Sequence, residues 1–119
     1  MYLLYINVMV TRERFQEIAS SLPDVMLAPH FEKQSFRARK KIFATLSADG
    51  RMACVKLTLP DQALYASHDP LVIFPVPNKW GKQGWTNVNL KGIKVTLLKA
   101  ILQSAYDTVA KPKATGKAT

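Results

Sequence analysis

The stretch Lys79-Trp80-Gly81-Lys82-Gln83-Gly84-Trp85 holds both tryptophans of the chain, with two lysines and two glycines set among them. Ammonium groups can meet phosphate oxygens and indole rings can stack on bases, so this spacing suits a polyanion contact surface. The structural alternative is that Trp80 and Trp85 plug the end of a core. A second set of cations, Arg37, Arg39, Lys40, Lys41 and Arg51, falls in a strand-rich middle segment.

Other chemistry finds less support. The two histidines, His30 and His68, lie far apart, and with the single Cys54 they offer no C-x-x-C or H-x-x-x-H spacing for a metal. Cys54 sits among apolar residues, where a free thiol acts as a small core group. Gly81-x-x-Gly84 lacks the strand–loop–helix setting of a phosphate loop. Asp24, Asp49, Asp61 and Asp69 occupy helix-end and turn positions, where aspartate bonds its local backbone. Paired carboxylates for acid–base work are absent. The expectation is a non-enzyme with no metal and no cofactor. His30, between Pro29 and Phe31, is the one residue that suggests a ligand pocket.

Charge is the strongest global signal. Lysine and arginine number 17 against 8 acids, a net charge of +9 and an isoelectric point near 9.9. Lys111, Lys113 and Lys117 lie in the tail, but the excess is centred between Gln34 and Lys94, where bases outnumber acids ten to three. A balance this basic favours polyanions or anionic surfaces and says nothing about fold. The length fits one domain able to bury a core, the apolar fraction of 48% is ordinary, and one cysteine fits a reducing compartment. Met1–Val10 is apolar but too short to span a bilayer and lacks signal-peptide flanks. A cytoplasmic protein is expected.

The elements that must position these residues follow from periodicity. Thr11 is an N-cap, and Phe15, Ile18, Ala19 and Leu22 draw one apolar helical stripe that Pro23 stops. Asp24–Lys33 has no period and is read as a loop. In Ser35–Arg39, Phe36 and Ala38 point one way while Arg37 and Arg39 point the other, and Lys40-Lys41 is a tight connection or bulge. Ile42, Ala44 and Leu46 share a face of the next strand. Asp49-Gly50 signals a two-residue hairpin turn. In Arg51–Leu57, Ala53, Val55 and Leu57 face opposite to Met52, Cys54 and Lys56. A short helix follows, with Pro60 and Asp61 in its first turn. Val72–Val76 and Trp85–Leu90 form a hairpin around the long Trp-bearing loop, and Val95–Ala110 is a helix with the stripe Leu98, Ile101, Leu102, Ala105 and Val109. Residues 1–10 form an N-terminal extension, 11–110 one domain, and 111–119 a disordered basic tail. The order α-β-β-β-α-β-β-α predicts a two-layer α+β sandwich: one antiparallel sheet of about five strands, helices on one face and the other face open.

Residues Ser21-Leu22-Pro23-Asp24-Val25, Pro29-His30-Phe31, Ser35-Phe36-Arg37, Lys41–Leu46, Asp49-Gly50-Arg51, Asp69-Pro70, Phe74-Pro75-Val76-Pro77 and Trp80-Gly81-Lys82-Gln83-Gly84-Trp85-Thr86 resemble the MmcQ/YjbR-like family. The resemblance covers roughly Thr11 to Ala110. It implies a secretion-chaperone-like fold related to the CyaY-like group, and a DNA-binding role through a double-wing motif. The wings here would be the Asp49-Gly50 hairpin and the Asn78–Trp85 loop.

The functional expectation is DNA binding of low specificity. Arg37, Arg39, Lys40, Lys41, Arg51, Lys79 and Lys82 would neutralise the phosphate backbone, with Trp80 and Trp85 bracing or stacking. No helix has the composition of a base-reading element. The alternatives are a protein- or peptide-binding module, as monomer or homodimer, and a small-molecule pocket beneath the Trp loop lined by His30.

Overall fold

The structure, a computed structural model, describes residues 10–110. The expected extension and the tail at 111–119 therefore lie outside the described residues, apart from Val10. That residue is buried and donates its N–H to the Leu90 carbonyl at 3.0 Å.

Helix α1 (Arg12–Ser20) begins where Thr11 Oγ1 accepts the Arg14 N–H and buries Phe15, Ile18 and Ala19. Strand β1 (Met26–His30) follows and corrects the expected loop. It pairs antiparallel with β2 (Lys33–Ala38) at the outer edge of the sheet, where the N–H that Pro29 lacks is not needed. Strands β3 (Lys41–Leu46) and β4 (Met52–Lys56) continue the meander. Helix α2 (Leu59–His68), capped by Thr58 Oγ1, leads to the short edge strand β5 (Ile73–Pro75). A one-turn helix α3 (Lys79–Lys82) forms within the next loop, before β6 (Trp85–Asn89) and the long helix α4 (Val95–Ala110). The sheet has six strands in the order β1-β2-β3-β4-β6-β5, every neighbouring pair antiparallel. The α+β class thus holds, with one strand more than the sequence indicated.

The core lies between one sheet face and the helices. Phe36, Ala44, Val55, Leu46, Ala53, Val88 and Ile73 meet Phe15, Leu98, Ile101, Leu102 and Ala105, all fully buried. The Phe15 and Phe36 rings pack edge-on at 5.4 Å, and Phe43 packs on Tyr106 at 5.6 Å. Two local irregularities alter what the period-two reading placed on each face. Phe36 pairs with Ala44 but Arg37 pairs with Ile42, so Phe43 is an extra, bulged residue. The bulge puts both Phe43 and Ala44 into the core and sends Ile42 to the opposite face, correcting the shared face expected for Ile42, Ala44 and Leu46. The β2–β3 turn consists of Arg39 and Lys40, both at positive φ (52° and 70°), as a two-residue turn matched to strand twist demands. Arg39 is accordingly a turn residue and not the strand neighbour of Arg37. The β3–β4 loop spans Ala48–Arg51, closed by Ser47 N–H to Met52 O at 2.9 Å, so Asp49-Gly50 marks a four-residue loop and not a two-residue turn.

Candidate nucleic-acid interface

The Trp-bearing loop is held by its own backbone and by its floor. Val76 N–H reaches Trp85 O at 3.0 Å, Asn78 Oδ1 accepts the Trp80 N–H, and Leu57 N–H reaches Gly84 O at 3.0 Å. Both glycines are required by close approach. A Cβ on Gly81 would lie 1.9 Å from the Val76 carbonyl oxygen, and one on Gly84 would lie 1.9 Å from that of Leu57. Gly84 also sits at φ 105°, a region L side chains rarely adopt. Gln62 of α2, a buried polar side chain, directs its amide nitrogen at Gly81 O, Trp85 O and Thr86 Oγ1 within 3.2 Å. Sequence reasoning missed Gln62, because a glutamine inside an exposed-looking helix carries no signal of a buried role. The result is a rigid platform that leaves Trp80 50% exposed and Trp85 half-buried.

Strand direction decides which cations this platform joins. The β2–β3 turn, the end of β4 and the start of β6 share one end of the sheet, since Ala38 pairs with Lys41 and Lys56 with Trp85. Arg37, Lys40, Lys41, Lys79 and Lys82 are therefore gathered at the Trp end. Arg51 is not: the β3–β4 loop lies at the opposite end, beside the start of β4. The two expected wings accordingly stand at opposite ends of the sheet. Arg39 also departs from expectation, for its guanidinium donates to Ala110 O at 3.2 Å, on the helix side and at the negative end of α4. The residue the sequence overlooked is Lys56. It faces the open side of β4, lies 5.7 Å from the Trp85 ring centroid and donates to Gln83 O. Lys79 stands over Trp80 at 5.8 Å. Among the described residues the one ion pair is Arg14–Glu17 at 2.6 Å, so these cations carry no carboxylate partner.

The open sheet face adds a groove of about 370 Å³ beside this end. His30 and Lys33 border it on the β1–β2 side, Thr45, Cys54 and Asn87 form its floor, and Ile42, Val76, Trp80 and Trp85 its walls. His30 thus lies in a pocket with the tryptophans, with its ring edge-on to Phe31 at 4.8 Å. Burial pushes the Cys54 thiol above its ordinary range, only partly offset by the Lys33 charge. The neutral thiol is a poor nucleophile, and labelling of native protein by a maleimide at pH 7 should run at least about tenfold slower than in urea. The sign for stability follows: the folded thiol holds its proton more tightly, so stability is full below the ordinary thiol range and falls as pH rises through it. Cys54→Ser should remove that fall in urea titrations. Asp49 shows the opposite shift, lowered first by the Ser47 hydroxyl and then by the Arg51 N–H; these bonds order the far loop. Among the described residues no cluster of three or more His, Cys, Asp or Glu could hold a metal ion. No helix there is long and apolar enough to cross a membrane.

The family model YjbR matches residues 20–108. The chain belongs to the YjbR family. A crystal structure of Deinococcus radiodurans protein DR2400, with the domain DUF419, is similar to the chain with a TM-score of 0.77 and 21% identity. The match covers 91% of this chain and 84% of that one, a likeness of fold. No curated protein matches. Within this YjbR domain the matched residues include β1 to β6 and nearly all of α4, and so the whole Trp platform.

Proposed function

We propose that this YjbR domain is a non-enzymatic nucleic-acid-binding protein of the cytoplasm that contacts chiefly phosphate. One observation carries the reading: Arg37, Lys40, Lys41, Lys56, Lys79 and Lys82 lie at one end of the sheet without carboxylate partners, Lys79 over the half-exposed Trp80 and Lys56 against Trp85. Unpaired cations keep their hydration and counterion-exchange capacity, so a phosphate backbone gains from displacing ions at each of them. With no base-reading helix in the set, DNA binding is sequence-tolerant and on the order of micromolar. If about five of the cations meet phosphates of a duplex, log K falls with log salt at a slope near −4 to −5. Titration of duplex and single-stranded DNA at several salt concentrations measures it. No binding at low salt, or a flat dependence, would overturn the reading.

A protein-binding module is the second reading, favoured by a different surface. Leu59, Leu64 and Leu71 are 53%, 63% and 86% exposed, on α2 and the approach to β5. An association through these leucines buries apolar area and survives salt that strips DNA. Sizing and pull-down at high salt separate the two, a salt-resistant complex or dimer supporting the second reading.

A further inference from the structure

The groove on the open sheet face has features that phosphate binding alone does not use. Thr45 on its floor is 8% exposed, and among the described residues its hydroxyl has no hydrogen-bond partner. A buried hydroxyl without a partner is costly in a folded protein and calls for a ligand or a role. It pairs across the sheet with Cys54, which pairs with Asn87, so the three form one row along the floor. The hydroxyl and the amide can each donate and accept, and together they match the mixed edge of any nucleobase. Trp85 and Trp80 supply aromatic walls at one end of the row, Ile42 and Val76 apolar ones. At the other end Lys33 stands beside His30, and next to it Phe31 is held 93% exposed at φ 59°. A phenylalanine kept in the left-handed region with its ring in water is an outlier of the kind found at binding sites.

We propose that this face binds an unpaired nucleobase of a single strand, inserted over the Thr45–Cys54–Asn87 row against the tryptophans, with neighbouring phosphates on Lys33, Arg37 and Lys56. The inference rests on the phosphate reading above and narrows it to single-stranded nucleic acid. A duplex keeps its bases stacked and paired, so it reaches the cations but leaves the groove empty. Base–aromatic stacking is sequence-tolerant, because every base offers a π-face. The Trp80 ring, half in water over the mouth of the groove, stacks on the inserted base or on its neighbour.

The test compares three labelled ligands of equal length with the full chain at one salt concentration: oligothymidylate, the same backbone with abasic sites, and a duplex. Oligothymidylate should bind about tenfold more tightly than the abasic strand and quench tryptophan emission, while the abasic strand does not quench. Trp80→Ala, an exposed position, should abolish that advantage, so that oligothymidylate binds the variant no more tightly than the abasic strand does. Thr45→Val, which keeps the β-branched shape, should reduce it. Equal affinity for the abasic and thymidylate strands overturns the base site while the phosphate reading stands. Failure of all three ligands to bind overturns both. Free thymidine monophosphate should quench only at far higher concentration; quenching as tight as that of the oligomer would overturn a strand as the source of the base.

Discussion

Gly84→Ala and Gly81→Ala are each expected to lower the unfolding free energy by about 3 kcal/mol or more, at the upper end of what overpacking costs. The reason is a close approach to backbone and not a lost contact. The added methyl would meet the carbonyl oxygen of Leu57 or Val76 at 1.9 Å, and neither oxygen can swing aside as a side-chain end can. Leu57 N–H is itself bonded to Gly84 O, so retreat of the loop breaks the bond that docks it. At Gly84 the positive φ adds backbone strain to the clash. Gly92→Ala is the control: its Cβ would meet only the Val72 Cγ2 methyl at 3.0 Å, and its cost should stay below about 1 kcal/mol. Urea or thermal unfolding reads the difference, with midpoints of the two loop variants lowered by roughly 10–20 °C. Equal stability of all three variants would contradict the packed loop described here.

The second large effect concerns affinity. Replacing Arg37, Lys79 and Lys82 together by glutamine should weaken binding of duplex DNA roughly a hundredfold at 0.1 M salt and flatten the salt slope by about 2 to 3. Lys79 and Lys82 are exposed and Arg37 is half-buried with its Nε donating to Ser35 Oγ at 3.1 Å, and none has a carboxylate partner whose charge would be left unmatched. Folding stability should therefore change little. Arg51→Gln, at the opposite end of the sheet, should leave affinity and slope nearly untouched, as should Arg39→Gln, whose guanidinium serves the end of α4. Fluorescence anisotropy over a salt series checks all of these. An Arg51 effect as large as that of the triple variant would place the nucleic acid elsewhere.

Helix α1, helix α4 and the β4 alternation were legible because their apolar positions recur with a single period, and a buried stripe leaves little freedom. Strand β1 was not, for Met26-Leu27-Ala28-Pro29-His30 neither alternates nor tolerates a central strand position. Only its place at the sheet edge, a tertiary fact, lets proline join the ladder. The bulge at Phe43 was equally hidden, since Ile42, Phe43 and Ala44 form an unbroken apolar run that fits either register. Arg39-Lys40 lacks the Asn or Gly that normally marks a two-residue turn, so the turn was displaced by one residue and Arg39 was assigned to a strand. The separation of Arg51 from the other cations follows from strand order alone. Successive hairpin connections alternate ends of an antiparallel sheet, and counting strands separates the Asp49-Gly50 loop from the Arg39-Lys40 turn. Lys56 was visible on the same face as Cys54, but its partner Trp85 emerged only with the β4–β6 register.

The central claim is that one end and the open face of the sheet, and not the helices or the far loop, receive the nucleic acid. Amide and indole nuclear magnetic resonance shifts during titration with a short oligothymidylate test it most directly. The account predicts that signals of Arg37, Ile42, Thr45, Cys54, Lys79 to Lys82, Asn87 and both indole N–H groups move together. Those of Asp49 to Arg51 and of α2 around Leu64 should stay in place. Movement confined to the Asp49–Arg51 loop or to the exposed leucines, with both indole signals fixed, would contradict it.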